Sequence, residues 1–188
     1  MLRAFAGQLA RAGYDVLVSN SRGPDSLQGL VRGLGRHATA GTRRDAAQAD
    51  VVVLAVQWQQ VRDALADLPS WNGRILIDAT NPVVQPGFRL ADLGGRTSSE
   101  VVASLAPGAR VVKVANTLPP ALLSADPKHA SGRRVLFMSG DDSAAKADVG
   151  AVLQEVGFAV VDLGGLASDG RLHEFPGGPL PALNLIKM

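Results

Sequence analysis

The chain has 188 residues, 46% of them hydrophobic and only 4% aromatic, with 21 glycines and no cysteine. That length suffices for one α/β domain with a sizeable core, and the missing cysteine excludes disulfides, thiolate metal sites and a thiol nucleophile. The net charge is +2 and no Lys/Arg run stands out, so nucleic acid is not an expected partner.

Leu2, Phe5, Ala6, Leu9 and Ala10 recur at helical spacing. They predict an amphipathic helix over 2–12, stopped by Gly13, and not a signal peptide. A strand over 15–19 and a helix over 25–34 follow. Next come a strand near 37–40, a helix near 43–49, a strand over 51–56 and a helix over 58–67. A strand over 74–78 ends in a long loop. Thr97-x-x-Glu100 is a capping box that opens a helix over 98–106. Strands over 110–115 and 134–139 come next. Asp141 or Asp142 caps a helix over 143–156, and a strand over 158–162 closes the regular part. Residues 82–96 and 163–188 are Gly/Pro-rich and irregular. No apolar run approaches the roughly 20 residues that a membrane helix needs, and a cytoplasmic protein is expected.

The strands are continuous Val/Ile/Leu runs, the pattern of strands covered on both faces of a parallel sheet. Their alternation with helices predicts an α/β fold, Rossmann-like and doubly wound, with a mostly parallel sheet. Residues 1–162 form the dinucleotide-binding domain on this reading, and 163–188 pack on the same domain.

Ligands of such folds bind beyond the carboxyl ends of the strands. Those ends hold no Ser-His-Asp set and no histidine cluster, so no catalytic side chain and no metal site are assigned. His37, His129 and His173 lie far apart and read as surface residues. Asp141 and Asp142 read as caps. The corner Asn20-Ser21-Arg22-Gly23-Pro24 follows the strand over 15–19, at the place where the second strand of a dinucleotide-binding sheet ends, and carries no acid. An acid at this place would accept from the ribose 2′-hydroxyl of NAD. Small donors and a guanidinium fork suit a phosphate monoester instead, and the following helix start favours an anion. That points to NADP(H). A capping turn with a solvent-exposed arginine is the other reading of the same residues.

The stretches "SNSRGPDSL", "ADVVVLAVQW", "IDATNP", "VVKVANTLP", "FMSGDDSAAK" and "VDLGGLASDGRLHEFPGGPLPALN" run from one end of the chain to the other. In order and spacing they resemble the family of NADPH-dependent F-420 reductases and related dinucleotide-binding proteins. The resemblance implies hydride transfer between NADP(H) and the deazaflavin F-420, or a flavin-like acceptor. It implies that Ser21 and Arg22 hold the 2′-phosphate, within the corner of Asn20, Gly23 and Pro24. Ala55 and Val56 would lie against the cofactor, Asn81 and Pro82 near the nicotinamide, and Asn116 and Thr117 toward the second substrate. The expected partner is a small-molecule redox carrier, with a homodimer as a further expectation. Hydride transfer between two carriers asks little of protein side chains beyond orientation.

The chain departs from the family at its start, where a first strand and a G-x-G-x-x-G loop are expected. A late start codon, a truncated paralogue, or a gap filled by another segment or chain would each account for this. Without that strand, the strands at 15–19 and 51–56 lack a shared neighbour, and buried unpaired backbone groups are expected there. A non-catalytic dinucleotide-fold protein, a sensor or a degenerate relative, is therefore the alternative function.

Overall fold

The structure, a computed structural model, describes residues 2–188. Helix α1 (Leu2–Arg11) buries Ala4, Phe5, Ala6 and Ala10 and ends at Gly13, whose φ is 94°. Strand β1 (Val16–Val18) leads through a 3-10 turn, Pro24–Leu27, into α2 (Gln28–Leu34), β2 (Ala38–Ala40) and α3 (Arg43–Ala46). Strand β3 (Val51–Leu54), a 3-10 turn Trp58–Gln60, α4 (Val61–Leu65) and β4 (Ile75–Asp78) come next. A small hairpin, β5 (Val83–Val84) and β6 (Arg89–Leu90), precedes α5 (Ser98–Leu105) and β7 (Arg110–Val114). Then follow α6 (Pro120–Ser124), β8 (Lys128–His129), β9 (Gly132–Gly140), α7 (Ser143–Val156) and β10 (Ala159–Asp162). A 3-10 turn, Asp169–His173, and β11 (Ile186–Lys187) complete the order.

The main sheet runs β10-β9-β7-β4-β3. Strands β3, β4 and β7 are mutually parallel, β10 is parallel to β9, and β9 is antiparallel to β7. The mostly parallel Rossmann-like fold expected from the sequence is present. Alternation along β4 divides the core. Ile75 and Ile77 join Val112, Val114, Leu136, Phe5 and Leu153 on one face. Leu76 joins Val111, Leu54, Val61, Leu65 and Val102 on the other. The sheet is thus covered by α1 and α7 on one side and by α4 and α5 on the other. Each fully buried Leu or Val side chain contributes about 1.5–3 kcal/mol.

Both expected caps form. Thr97 and Glu100 make a reciprocal capping box. Asp142 Oδ1 accepts from Ala145 N at 2.7 Å at the start of α7. The helices expected over 25–34 and 58–67 each begin as a 3-10 turn, because neither has a side-chain cap to fix an α-helical start. Among the described residues, no helix is long and apolar enough to cross a membrane.

β1 and β2 form a separate two-stranded parallel sheet and do not pair with β3. The expected lack of a shared neighbour is therefore seen. Burial along the two strands is mixed: Leu17 on β1 and Val51 on β3 are exposed, whereas Val18 and Leu54 are buried.

Candidate functional site

The corner after β1 is built by Asn20. Its Oδ1 accepts from Arg22 N at 2.8 Å, and its Nδ2 donates to Ser26 Oγ at 2.9 Å. Ser26 Oγ in turn donates to Gly23 O at 2.7 Å. Gly23 has a φ of 87°, which explains a glycine at this bend. Asn20 is thus spent on the turn itself. Ser21 and Arg22 are exposed, and among the described residues neither side chain has a hydrogen-bond or ion-pair partner. The expected α-helix start is a 3-10 turn opened by Pro24, which has no N–H to offer. Asp25, exposed on that turn, makes no ion pair with Arg22. The donor set that remains, a hydroxyl beside an unengaged guanidinium, fits a phosphate monoester.

Ala55 and Val56 lie half-buried past the end of β3. Beyond β4, Asn81 is half-buried and Pro82 buried. Asn81 Nδ2 donates to Asn116 O at 2.9 Å, and Asn116 Nδ2 donates to Asn81 Oδ1 at 3.0 Å. Asn116 also donates to His173 O at 2.5 Å. Asn116 and Thr117 lie beneath the C-terminal segment, 4% and 5% exposed, with Thr117 O accepting from Ala182 N. Asn81 and Asn116 thus meet directly. The corner at Ser21 and Arg22 stands on the separate β1-β2 sheet, and among the described residues no hydrogen bond or ion pair joins it to them.

Beneath Asn81 lies a polar cluster that sequence reasoning missed. Asp78 and Lys113 are fully buried. Lys113 Nζ is 3.2 Å from Asp78 Oδ2 and donates to Thr80 O and Ser98 Oγ, each at 3.0 Å. Asp78 Oδ1 accepts from Thr80 N at 2.9 Å and from Thr80 Oγ1 at 2.7 Å, and Asp78 Oδ2 accepts from Ser99 Oγ at 2.6 Å. Burial alone would raise the Asp78 pKa. The Lys113 charge and the Ser99 and Thr80 hydrogen bonds outweigh it, so the net shift is downward. The ion pair therefore fixes Thr80 at three points, immediately before Asn81. The signal was a lysine inside the apolar run "RVVKVA" and an aspartate closing "RILID".

His173 corrects the sequence reading. It is fully buried, not a surface residue, and its Nε2 lies 2.8 Å from Ser139 Oγ. The 3-10 turn Asp169–His173 tucks it under the sheet end, where the serine partners one ring nitrogen. Nδ1 has no partner. Burial, then the nearby Lys113 charge, push its pKa down to about 3, against smaller opposing effects of Asp78 and the Phe137 backbone. The imidazole is neutral and enclosed. His37 and His129 do sit near the surface, beside Asp15 and Arg134.

A pH dependence follows. The unfolded imidazole titrates at its ordinary 6.5 and the folded one at about 3. Between these values the unfolded state binds the extra proton, so stability falls as pH falls. The expected loss from pH 7 to pH 5 is about 2 kcal/mol. Asp78, with its lowered pKa, loses its contribution only below about pH 4 and stays out of this window. Urea unfolding of the wild type and of His173→Asn at the two pH values checks this. An equal loss in both would contradict it.

The sheet order and the helices on both faces define a Rossmann-like α/β protein. Residues 1–82 match the family model "NADP oxidoreductase coenzyme F420-dependent". A hypothetical protein from Sinorhizobium meliloti is 45% identical, with a TM-score of 0.94, over 99% of this chain and 90% of that one. A protein from Arthrobacter sp. FB24, provisionally assigned as an F420-dependent NADP-reductase, is 30% identical, with a TM-score of 0.75, over 87% of this chain and 80% of that one. The rat metalloreductase STEAP3 is 29% identical over 181 residues, 96% of this chain. The chain spans only 35% of that curated relative's length. The chain belongs to the F420-dependent NADP oxidoreductase family.

Proposed function

We propose that the protein is an NADP(H)-dependent oxidoreductase that passes hydride between NADP(H) and F420 or a flavin-like acceptor. The observation that carries this reading is the unengaged Ser21–Arg22 pair at the end of β1, on a corner whose turn is closed by Asn20. Family membership and the Arthrobacter relative support the choice of cofactor and acceptor. When bound, the dihydronicotinamide supplies the hydride.

The protein's own part is positional. Ser21 and Arg22 hold the 2′-phosphate, with Asn20, Gly23 and Pro24 shaping the turn. Ala55 and Val56 offer half-buried apolar surface to the cofactor. Asn81 and Pro82 sit by the nicotinamide, and Asn116 and Thr117 support the side of the second substrate, a small-molecule redox carrier. No side chain is asked to act as acid or base, since the buried Ser139–His173 pair is closed to substrate.

A second reading, a dinucleotide-fold protein that binds without turnover, is favoured by the separation of β1 from β3. Turnover distinguishes the two. NADPH absorbance is followed with F420 and, separately, with FMN as acceptor. NADPH oxidation matched one-for-one by acceptor reduction is expected. Bound NADPH that neither acceptor oxidises would favour the second reading.

A further inference from the structure

Three of the five phenylalanines, Phe5, Phe137 and Phe158, are core residues at 7% exposure or less. The other two are not. Phe88 is 61% exposed and Phe175 is 37% exposed. They come from loops 87 positions apart, yet their ring centroids are 6.2 Å apart at an interplanar angle of 74°. Core packing does not account for two solvent-facing rings held together.

Both rings stand on fixed backbone. Phe175 N donates to Asn81 Oδ1 at 3.3 Å. The flanking Glu174 accepts from Ser98 N at 2.5 Å, and Gly178 N closes back on Glu174 O at 2.8 Å. Phe88 occupies the turn of the β5-β6 hairpin with a φ of 54°, a left-handed conformation uncommon for a bulky residue. Gln59 Nε2 ties that hairpin down through Gln85 O at 3.0 Å. Arg89, next in the chain, is exposed and has no carboxylate partner among the described residues.

We infer that Phe88 and Phe175 form an aromatic wall beside Asn81 that takes the flat face of the acceptor's tricyclic ring. An edge-to-face pair leaves ring face and edge free for a further planar system, and such contacts add to the area they bury. The exposed Arg89 suits the phosphate that F420 and FMN both carry. The inference rests on the hydride-transfer reading and assigns its acceptor side.

F420 and FMN are titrated separately into the wild type, Phe88→Ala, Phe175→Ala and Phe88→Leu, with ring fluorescence as the readout. Each titration is run with and without saturating NADP. A parallel NADPH titration reports the cofactor side. Each Ala substitution should weaken ring binding about tenfold, and Phe88→Leu, which keeps bulk but not aromaticity, should do nearly the same. NADPH affinity should change little, since neither side chain belongs to the Ser21–Arg22 corner. Ring binding equal in all four proteins, or no ring binding by the wild type, would overturn the wall. So would substitutions that weaken self-association in size exclusion but leave ring binding unchanged. Failure of the wild type to bind NADPH would count against the hydride-transfer reading instead, while the titrations without NADP still decide the wall.

Discussion

Replacing Lys113 with methionine is expected to destabilise the protein by about 3–5 kcal/mol, the cost of leaving one charge of a buried pair unpaired. The variant keeps the length of the side chain and much of its volume. It removes three contacts at once, to Asp78 Oδ2, Thr80 O and Ser98 Oγ. Asp78 would then stay in a fully buried place with only hydroxyl and amide donors. Its carboxylate must take up a proton or admit water, and either costs stability. For a domain of this size the melting temperature should fall by roughly 10 °C or more. Adding Asp78→Asn to Lys113→Met should recover part of the loss, because the second substitution removes the orphaned charge. Thermal unfolding of the two single variants and the double variant measures the coupling. Strictly additive losses would show that the pair does not act as a unit. Because Lys113 and Asp78 both hold Thr80, Lys113→Met should also loosen the residues that carry Asn81.

The strands and helices bounded by local chemistry were legible in the sequence. Helix α7 falls on the expected residues 143–156, because Asp142 caps its start and Gly157, with a φ of 118°, stops it. The capping box at Thr97 and Glu100 placed α5 in the same way. The strand cores at 75–78 and 110–114 announced themselves by continuous apolar runs. Pairing direction was not legible. β9 reads like its parallel neighbours, yet it enters the sheet antiparallel after α6 and the β8 hairpin. The short strands β5, β6, β8 and β11 have two residues each, too few to show a period.

The corner at Ser21 and Arg22 was visible because it is local, set by Asn20 two residues before Arg22. The buried cluster was not. Lys113 is neutralised by Asp78, 35 positions away, and supported by Ser98, 15 positions away. His173 goes under the sheet to meet Ser139, 34 positions away. A charged or titratable residue is normally a surface residue unless such partners exist, and one sequence does not show them.

The second large effect concerns Arg22. Its guanidinium is exposed and engaged with nothing among the described residues, so Arg22→Ala should leave stability nearly unchanged. Its loss should instead fall on the one ligand group it suits. A hydrogen bond to a charged partner contributes about 1.5–3 kcal/mol, which corresponds to a loss of roughly ten- to hundredfold in NADPH affinity. NADH lacks the 2′-phosphate and should bind both proteins alike. The decisive measurement is therefore a four-way calorimetric titration, NADPH and NADH against the wild type and Arg22→Ala. The wild type is expected to prefer NADPH, and Arg22→Ala to abolish most of that preference by weakening NADPH alone. Equal affinity of the wild type for the two nucleotides, or equal weakening of both by the substitution, would contradict it.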